Sequence, residues 1–310
     1  MESENLTFIT EFILVGLTSH RKSQILLFVI LLLIYMLTVM GNVLIIVLIL
    51  SDPHLHTPMY FFLKHFAGLE ICYVTTGMPQ MLAHLQAGNG RISFGRCAAQ
   101  VYVSTCLATV EFVLLGVMAY DRYLAICCPL IYATVMGRSR QLKLASAFWA
   151  AGFISGLITL SCVLHHPYCG PNRINHFYCE LPLVLKLACA DTHITEAITV
   201  VLVGVVLAGP LAAILVSYTL ILSTVLQMKS TAGRRKAFST CGSHLLVVSL
   251  YYGTVMAMYM RPRSRSSPDL DKQVAVFYVV ISPMLNPVIY TLRNKDIHVA
   301  MAKMLQKWGS

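Results

Sequence analysis

The chain has 310 residues, of which 57% are hydrophobic and 12% charged, with a mean hydropathy of +0.72 and a formal net charge of +10. Soluble globular domains are nearer half apolar and about a quarter charged, so this composition excludes an ordinary soluble domain, a disordered or collagen-like chain and a small disulfide-rich protein. The basic residues stand in short segments between apolar runs, which favours loop charges of a membrane protein over nucleic-acid binding.

Seven apolar runs each exceed the roughly 18 residues that a helix needs to cross the hydrocarbon layer. The runs are too long for barrel strands, and a helix satisfies its own backbone hydrogen bonds in lipid. We therefore predict an all-α membrane protein, a seven-transmembrane helix bundle. The runs cover 25–50, 58–85, 98–122, 144–163, 197–227, 238–260 and 274–292.

The orientation follows from charge and from one acceptor motif. With the amino terminus outside, just over half of the 23 basic residues fall in cytoplasmic segments, a weak positive-inside bias. Asn5 in Asn5-Leu6-Thr7 is a glycosylation acceptor if this end faces the lumen. We expect 1–24 to be an extracellular segment, 25–292 a seven-transmembrane domain whose first run serves as an uncleaved signal anchor, and 293–310 a cytoplasmic tail.

Four cysteines fall in the outward-facing segments, where disulfides persist. Cys97 opens the third run, and Cys169, Cys179 and Cys189 lie in the long loop of 164–196. Four cysteines allow three pairings, and spacing does not choose among them. Tied by disulfides, this loop is expected to form a lid over the outer mouth of the bundle.

Two acidic residues lie at mid-membrane depth, where a charge is costly and suggests function. Glu70 is in the second run and Glu111 in the third. Two neighbouring buried carboxylates need a shared cation or a proton. One interpretation is a sodium site, and the other is two protonated acids bonded to different neighbours. Spacing alone slightly favours the second.

Two further motifs sit at the cytoplasmic side. Asp121-Arg122-Tyr123 ends the third run and predicts either an interfacial ion pair or an ordinary anchor. In the seventh run, Pro287 kinks the helix, and Asn286 and Tyr290 share one of its faces. This second pattern indicates either a hinge or a static kink.

These motifs together resemble the rhodopsin-like G-protein-coupled receptors and, more narrowly, the olfactory receptors. The matching segments run from residue 55 to residue 294 in the expected order, so the resemblance covers nearly the whole chain. They are Leu55-His56-Thr57-Pro58-Met59-Tyr60, Met118–Cys127 with Pro129-Leu130, Ser217-Tyr218, Lys236–Cys241 with Ser243-His244, and Pro283–Pro287 through Arg293-Asn294.

The resemblance implies specific roles for residues of this sequence. It implies disulfides Cys97–Cys179 and Cys169–Cys189, and a switch in which Asp121 holds Arg122 at rest and then releases it toward a G protein. Tyr218 and Tyr290 would swing inward in the active state, and Tyr252 would take the place of a tryptophan toggle. Glu70 and Glu111 fall on positions linked to a sodium site, although Glu70 stands where aspartate is more usual. No other cofactor is expected.

The ligand site is expected between the outer halves of spans three, five, six and seven, beneath the lid. Helical spacing groups the candidate residues into stripes. An apolar space with a few hydroxyls suits a small neutral odorant, whereas packing against helices or lipid is the plain alternative. The candidates are Ser104, Thr105, Ala108, Thr109, Leu202, Val206, Tyr252, Met256 and Tyr259. The third span offers no outer acid for an amine, and a carboxylate ligand would need Arg263.

The implied function is an odorant receptor that activates the olfactory stimulatory G protein and raises cyclic AMP, in the plasma membrane of sensory cilia. The basic segment Arg234-Arg235-Lys236 would border the G-protein cleft or attract anionic lipid. A transporter or channel that uses the intramembrane carboxylates is the alternative, although no inverted repeat is evident. Metal-ligand, phosphate-loop and nucleophile motifs are absent from the sequence, which argues against an enzyme.

Overall fold

The computed structural model of the chain describes residues 9–169, 171–259 and 268–308. Seven long helical segments form a bundle, as predicted, and shorter helices lie at its two ends. In chain order the helices are α1 (Arg21–Ser51), α2 (Pro58–Ala87), α3 (Phe94–Cys127), α4 (Pro129–Val135), α5 (Arg138–His165), α6 (Leu181–Leu185), α7 (His193–Gln227), α8 (Thr231–Tyr259), α9 (Pro268–Val276), α10 (Ser282–Arg293) and α11 (Lys295–Trp308). A 3-10 turn at Pro53–Leu55 links α1 to α2.

The helices extend beyond the apolar runs, because helical hydrogen bonding continues into the polar membrane interface. α3 begins at Phe94, four residues before the predicted start, where the Ser93 hydroxyl accepts from the Arg96 N–H at 3.4 Å. In the described residues, five segments are long and apolar enough to span a membrane by length and composition: α1, α3, α5, α7 and Leu270–Thr291. α2 and α8 are less apolar and complete the bundle.

The seventh span is interrupted by a π-helical turn at Phe277–Ile281 between α9 and α10. Pro283 has no N–H to donate to the carbonyl four residues earlier, and the N–H of Ser282 bonds instead to the carbonyl of Phe277. Such turns are often found at functional sites.

α3 is the central helix and packs against α2, α5, α7 and α8. Its approach to α5 is close, because a Cβ at Gly152 would lie 2.7 Å from the carbonyl oxygen of Cys106. Glycine at this position therefore sets the distance between the two helices. The apolar core runs along α3, with Val110, Leu114 and Leu115 fully buried.

A three-stranded sheet covers the outer end and incorporates part of the amino-terminal segment. β1 (Glu11–Leu14) lies between β2 (Arg91–Ser93), to which it is antiparallel, and β3 (Arg173–Ile174), to which it is parallel. A Cβ at Gly90 would lie 1.9 Å from the carbonyl oxygen of Leu14, so only glycine fits beside this strand. The sequence did not predict these three strands, since strands this short carry little periodicity.

The expected cytoplasmic tail contains the amphipathic helix α11. Ile297 and Ala300 are buried against the bundle, whereas Leu305 is 64% exposed. At the start of α2, the hydroxyl of Tyr60 lies 3.0 Å from carboxamide and carboxylate oxygens of Asn294 and Asp296. The beginning of α11 is therefore held against the inner end of α2.

Candidate functional site

The lid is fixed to the bundle by covalent and polar contacts. Cys97 is bonded to Cys179 and Cys169 to Cys189, the two disulfides that the resemblance implied, with Cα–Cα distances of 5.6 and 5.8 Å. The N–H of Cys179 donates to Gln100 Oε1 at 2.8 Å. The part of the lid around Cys179 is therefore held over the outer end of α3.

The lid also has its own apolar core, which includes Phe12 of β1. The Phe12 ring is fully buried and lies 6.0 Å from Phe94 and 5.9 Å from Tyr168 between ring centroids. This packing joins the amino-terminal segment, the first outer loop and the lid into one layer.

An acidic cluster that sequence analysis did not identify lies beneath this layer. The hydroxyls of Tyr178, in the lid, and Tyr278, in the π-helical turn, both contact Glu180 Oε1, and they also contact each other. Burial raises the pKa of Glu180 to about 7, with a further contribution from Asp271. Nearby His176 is buried, and burial together with Lys272 lowers its pKa to about 4.

The predicted ligand residues on α3 face a loosely packed part of the bundle. Ser104, Thr105 and Ala108 are half-buried although α3 is the central helix, whereas Thr109 is buried at 4% exposure. Accessible surface on the central helix indicates space between it and its neighbours. Three of the four α3 candidates therefore keep accessible surface, and the fourth is packed.

The facing helix α7 changes its packing halfway along its length. Its inner half buries Ile214, Ser217, Ile221 and Val225, whereas from 196 to 213 no residue is fully buried. Leu202 and Val206 belong to the half-buried face of this outer part. α7 crosses α3 at Pro210, where a Cβ added to Gly116 of α3 would lie 3.2 Å from the Cβ of Pro210. The two helices are tightly packed only from this crossing inward.

Tyr252 of α8 forms a floor beneath this outer space. It is 5% exposed, its ring lies 5.2 Å from that of Phe112 on α3, and its hydroxyl donates to the carbonyl oxygen of Leu207 on α7 at 3.4 Å. Tyr252, itself on α8, thus contacts α3 and α7, the other two helices that carry ligand candidates.

The remaining candidates are less enclosed or lie outside the described parts. Met256 is 46% exposed. Tyr259 ends α8 and its side chain lies outside the described residues, as do Asn5 and Arg263.

Two cavities are described, and neither is lined by a predicted ligand residue. One, of about 470 Å³, lies near Phe94 and Leu164–Tyr168 at the outer end. The other, of about 300 Å³, lies near Arg138, Arg140 and Lys143 at the inner end.

A polar cluster occupies the middle of the bundle around Glu70. Its Oε1 accepts from the hydroxyl of Tyr251 at 2.7 Å and from the carboxamide of Asn286 at 2.5 Å. Glu111 is close enough to interact with both Glu70 and Tyr251. Four buried oxygens in this region have no hydrogen-bond partner within the described residues: Glu70 Oε2, Glu111 Oε1, Asn286 Oδ1 and Ser282 Oγ. The structure thus brings the two predicted carboxylates together with oxygen donors from α10.

At the inner end, the Asp121-Arg122-Tyr123 motif faces the bundle. Asp121 and Arg122 are 2% and 5% exposed. The hydroxyl of Tyr132, in α4, donates to Asp121 Oδ1 at 2.9 Å. Tyr123 is half-buried at the edge of the motif. The guanidinium therefore lies inside the bundle rather than in lipid.

A hydrogen-bonded chain connects α7, α8 and α3 above Arg122. His244 is fully buried, with Nδ1 2.8 Å from the hydroxyl of Tyr218 and Nε2 3.1 Å from the carbonyl oxygen of Leu115. A carbonyl only accepts, so Nε2 donates, and in the neutral ring Nδ1 accepts from Tyr218. The sequence indicated a role for Tyr218 but none for His244. Only the tertiary structure places the His244 ring between the Tyr218 hydroxyl and the Leu115 carbonyl oxygen.

Apolar contacts close the inner end of the bundle. Ile221 and Val225 of α7 pack against Ala237 and Cys241 of α8, with Tyr123 at the border. α8 must move away from α7 before a large partner can enter between them.

The seventh-span motif lies between this inner end and the polar cluster. Asn286 bonds to Glu70, and Tyr290 is buried with its ring 5.8 Å from Phe66. The Tyr290 hydroxyl has no hydrogen-bond partner in the described structure. At Pro287 the helix lies against α1, where a Cβ on Gly41 would come within 3.1 Å of the proline ring.

Comparisons with known proteins agree with this architecture. A family profile described as olfactory receptor matches residues 31–308. Olfactory receptor 2Y1 of Homo sapiens is 48% identical over 98% of this chain and 98% of its own length. Olfactory receptor 5M5 of Mus musculus is 46% identical over 98% of this chain and 95% of its own length. The crystal structure of squid rhodopsin superimposes with a TM-score of 0.73 at 14% identity, covering 93% of this chain and 86% of that one.

We predict that Cys97→Ser or Cys179→Ser abolishes surface expression. The bond closes a sequence separation of 82 residues, and its removal is expected to cost about 4 to 5 kcal/mol on a chain-entropy estimate. Surface immunostaining of epitope-tagged receptor measures the effect. Cys72→Ser, at an exposed free cysteine, is the matched control. Normal surface levels of both disulfide variants would contradict the prediction.

Proposed function

This chain belongs to the olfactory receptor family and has the fold of a G-protein-coupled receptor, and we propose that it binds a small, neutral volatile in the outer half of the bundle and activates a stimulatory G protein to raise cyclic AMP. It is a multi-pass membrane protein and not an enzyme. The plasma membrane of olfactory cilia is the proposed location.

The observation that supports this proposal most directly is the position of Tyr252. This ring lies under the half-buried faces of α3 and α7 and contacts both helices. The candidate side chains of α3 and α7 that face this ring are apolar or carry single hydroxyls, such as Thr105 and Ser104. A neutral ligand with one polar group would leave few polar groups unpaired there.

The proposed mechanism is a population shift. The ligand binds better to the arrangement in which Tyr252 has moved, and it therefore favours that arrangement. Movement of α8 breaks the Tyr218–His244 bond and separates the apolar contacts at the inner ends of α7 and α8. Arg122 and Tyr218 then border an open cleft.

A helix from the G protein would dock in this cleft as a helix in a groove. Arg234 and Arg235, at the start of α8, would border its rim, and the same residues would attract anionic lipid. The transporter or channel alternative has no observation that favours it, since the polar cluster accounts for the two intramembrane carboxylates.

We also propose that sodium binds at Glu70 and Glu111. The four unpartnered oxygens around them are hard ligands suited to a small cation, and burial without a partner is costly for each. One sodium ion together with one proton would neutralise the two carboxylates. The ion would keep α2, α3 and α10 together at this level and so favour the resting bundle.

We predict that Arg122→Ala abolishes the odorant-dependent rise in cyclic AMP while the receptor still reaches the surface. A broad odorant panel with a cyclic-AMP reporter in transfected cells makes the measurement. Arg91→Ala is the control, because Arg91 is exposed on the outer side, where its pair with Glu11 contributes little. An unchanged response in Arg122→Ala, or substrate flux without any G protein, would refute the proposed function.

We predict that Thr105→Val lowers the potency of odorants that bond to this hydroxyl by about 10-fold or more, since a lost polar contact costs roughly 1–3 kcal/mol. The ranking of active odorants changes as a result. Concentration–response curves across the panel give the ranking. Thr219→Val, on the exposed inner part of α7, makes the same change away from the ligand space. A ranking identical to wild type would remove Thr105 from the site.

We predict that Glu111→Gln removes the sodium dependence of basal activity. The amide keeps the shape but loses the charge that binds the cation. Basal cyclic AMP is compared in sodium buffer and in choline buffer of equal ionic strength. If the wild-type receptor shows the same basal activity in both, the sodium proposal is wrong and the protonated pair is favoured.

A further inference from the structure

We propose that the Glu180 carboxylate is a hydrogen-bond acceptor with which the lid selects ligands that carry a hydroxyl group. This inference rests on the proposed function, because it names the ligand class of the same outer space. From the sequence, we expected no acidic residue on the outer part of the third span. The acid comes instead from the lid.

The position of Glu180 is set by its neighbours in the chain and in space. Cys179, the preceding residue, is bonded to Cys97 at the outer end of α3 and donates its N–H to Gln100. On its other side, Glu180 contacts Tyr278 in the seventh span. Glu180 therefore lies between a lid residue tethered to α3 and the seventh span, and its carboxylate contacts the seventh span directly.

One oxygen of this carboxylate remains available. Both tyrosine hydroxyls contact Oε1. Among the described residues, no hydrogen bond to Oε2 is found, and Oε2 is not among the fully buried polar atoms that lack a partner. It is thus an acceptor with accessible surface.

The surroundings of Glu180 indicate that this oxygen faces the bundle. Glu180 is only half-buried by surface area, yet protein atoms surround it closely enough for burial to raise the pKa of its carboxyl to about 7. It also lies within electrostatic range of Tyr73, a buried residue one turn outward from Glu70 on α2. Both observations place the Glu180 carboxyl group among protein atoms of the bundle rather than at its outer surface.

The chemistry of the ligand follows from this geometry. A carboxylate accepts hydrogen bonds, and a bond from a hydroxyl to this charged acceptor is shorter and stronger than a bond between two neutral groups. An ether of the same shape places a second acceptor against Oε2, and it cannot bond there while the carboxyl group is ionised. An alcohol is therefore expected to be preferred over its methyl ether by about 10- to 100-fold.

The test uses pairs of an alcohol or phenol and the corresponding methyl ether, with cyclic AMP in transfected cells and surface expression measured in parallel. Wild type is expected to prefer the hydroxyl member of each active pair. Glu180→Gln should remove that preference, because the tyrosine hydroxyls hold the amide oxygen at the Oε1 position and turn the NH2 group toward the ligand, where it donates to an alcohol oxygen and to an ether oxygen alike. Glu196→Gln is the matched control, since Glu196 is an exposed outer acid bonded to Thr192.

A Glu180→Gln receptor that reaches the surface and ranks the pairs as wild type does would overturn the inference while leaving the proposed function intact. Glu180→Asp keeps the charge on a shorter side chain, and a partial loss of the hydroxyl preference is expected. If Glu180→Gln does not reach the surface, an unchanged preference in Glu180→Asp overturns the inference. A wild-type receptor at the surface that responds to no odorant would overturn the proposed function, and the inference with it.

Discussion

Lipid offers no hydrogen-bond partners, and this constraint determines how the helices of this receptor are rotated. Polar side chains of the long helices turn toward other helices: Glu70, His244 and Asn286 are fully buried, and Arg122 is 5% exposed. On α7, by contrast, Val200 and Val205 are about two-thirds exposed. Once the polar groups face inward, the positions of the central cluster and of the cytoplasmic switch follow.

The outer and inner halves of the bundle differ in how firmly they are packed. Inward of the Gly116–Pro210 crossing, α7 buries a regular apolar stripe against α3 and α8. Outward of it, α7 is only half-buried on the side that faces them. Tyr252 lies at the boundary between these halves, and a ligand in the loose half would therefore act on a residue that packs with the tight half.

The lid closes the loose half and adds chemistry of its own. Its disulfides, its sheet and the aromatic contacts of Phe12 make it an ordered layer rather than a mobile loop. This order places Glu180 and Tyr278 together at the roof of the outer space. The ligand is thus expected to meet a hydroxyl-bearing α3, an aromatic floor and an acidic roof.

The sequence alone predicted seven spanning segments, the family, and the mid-membrane depth of Glu70 and Glu111, because hydrophobic length and isolated charges are local properties. Only the tertiary structure decided which polar groups meet. Glu180 bonds to Tyr278, 98 residues away, and Glu70 bonds to Asn286, 216 residues away. Such pairs depend on helix rotation and on the path of the lid, which arise from packing across the whole bundle rather than from any local pattern.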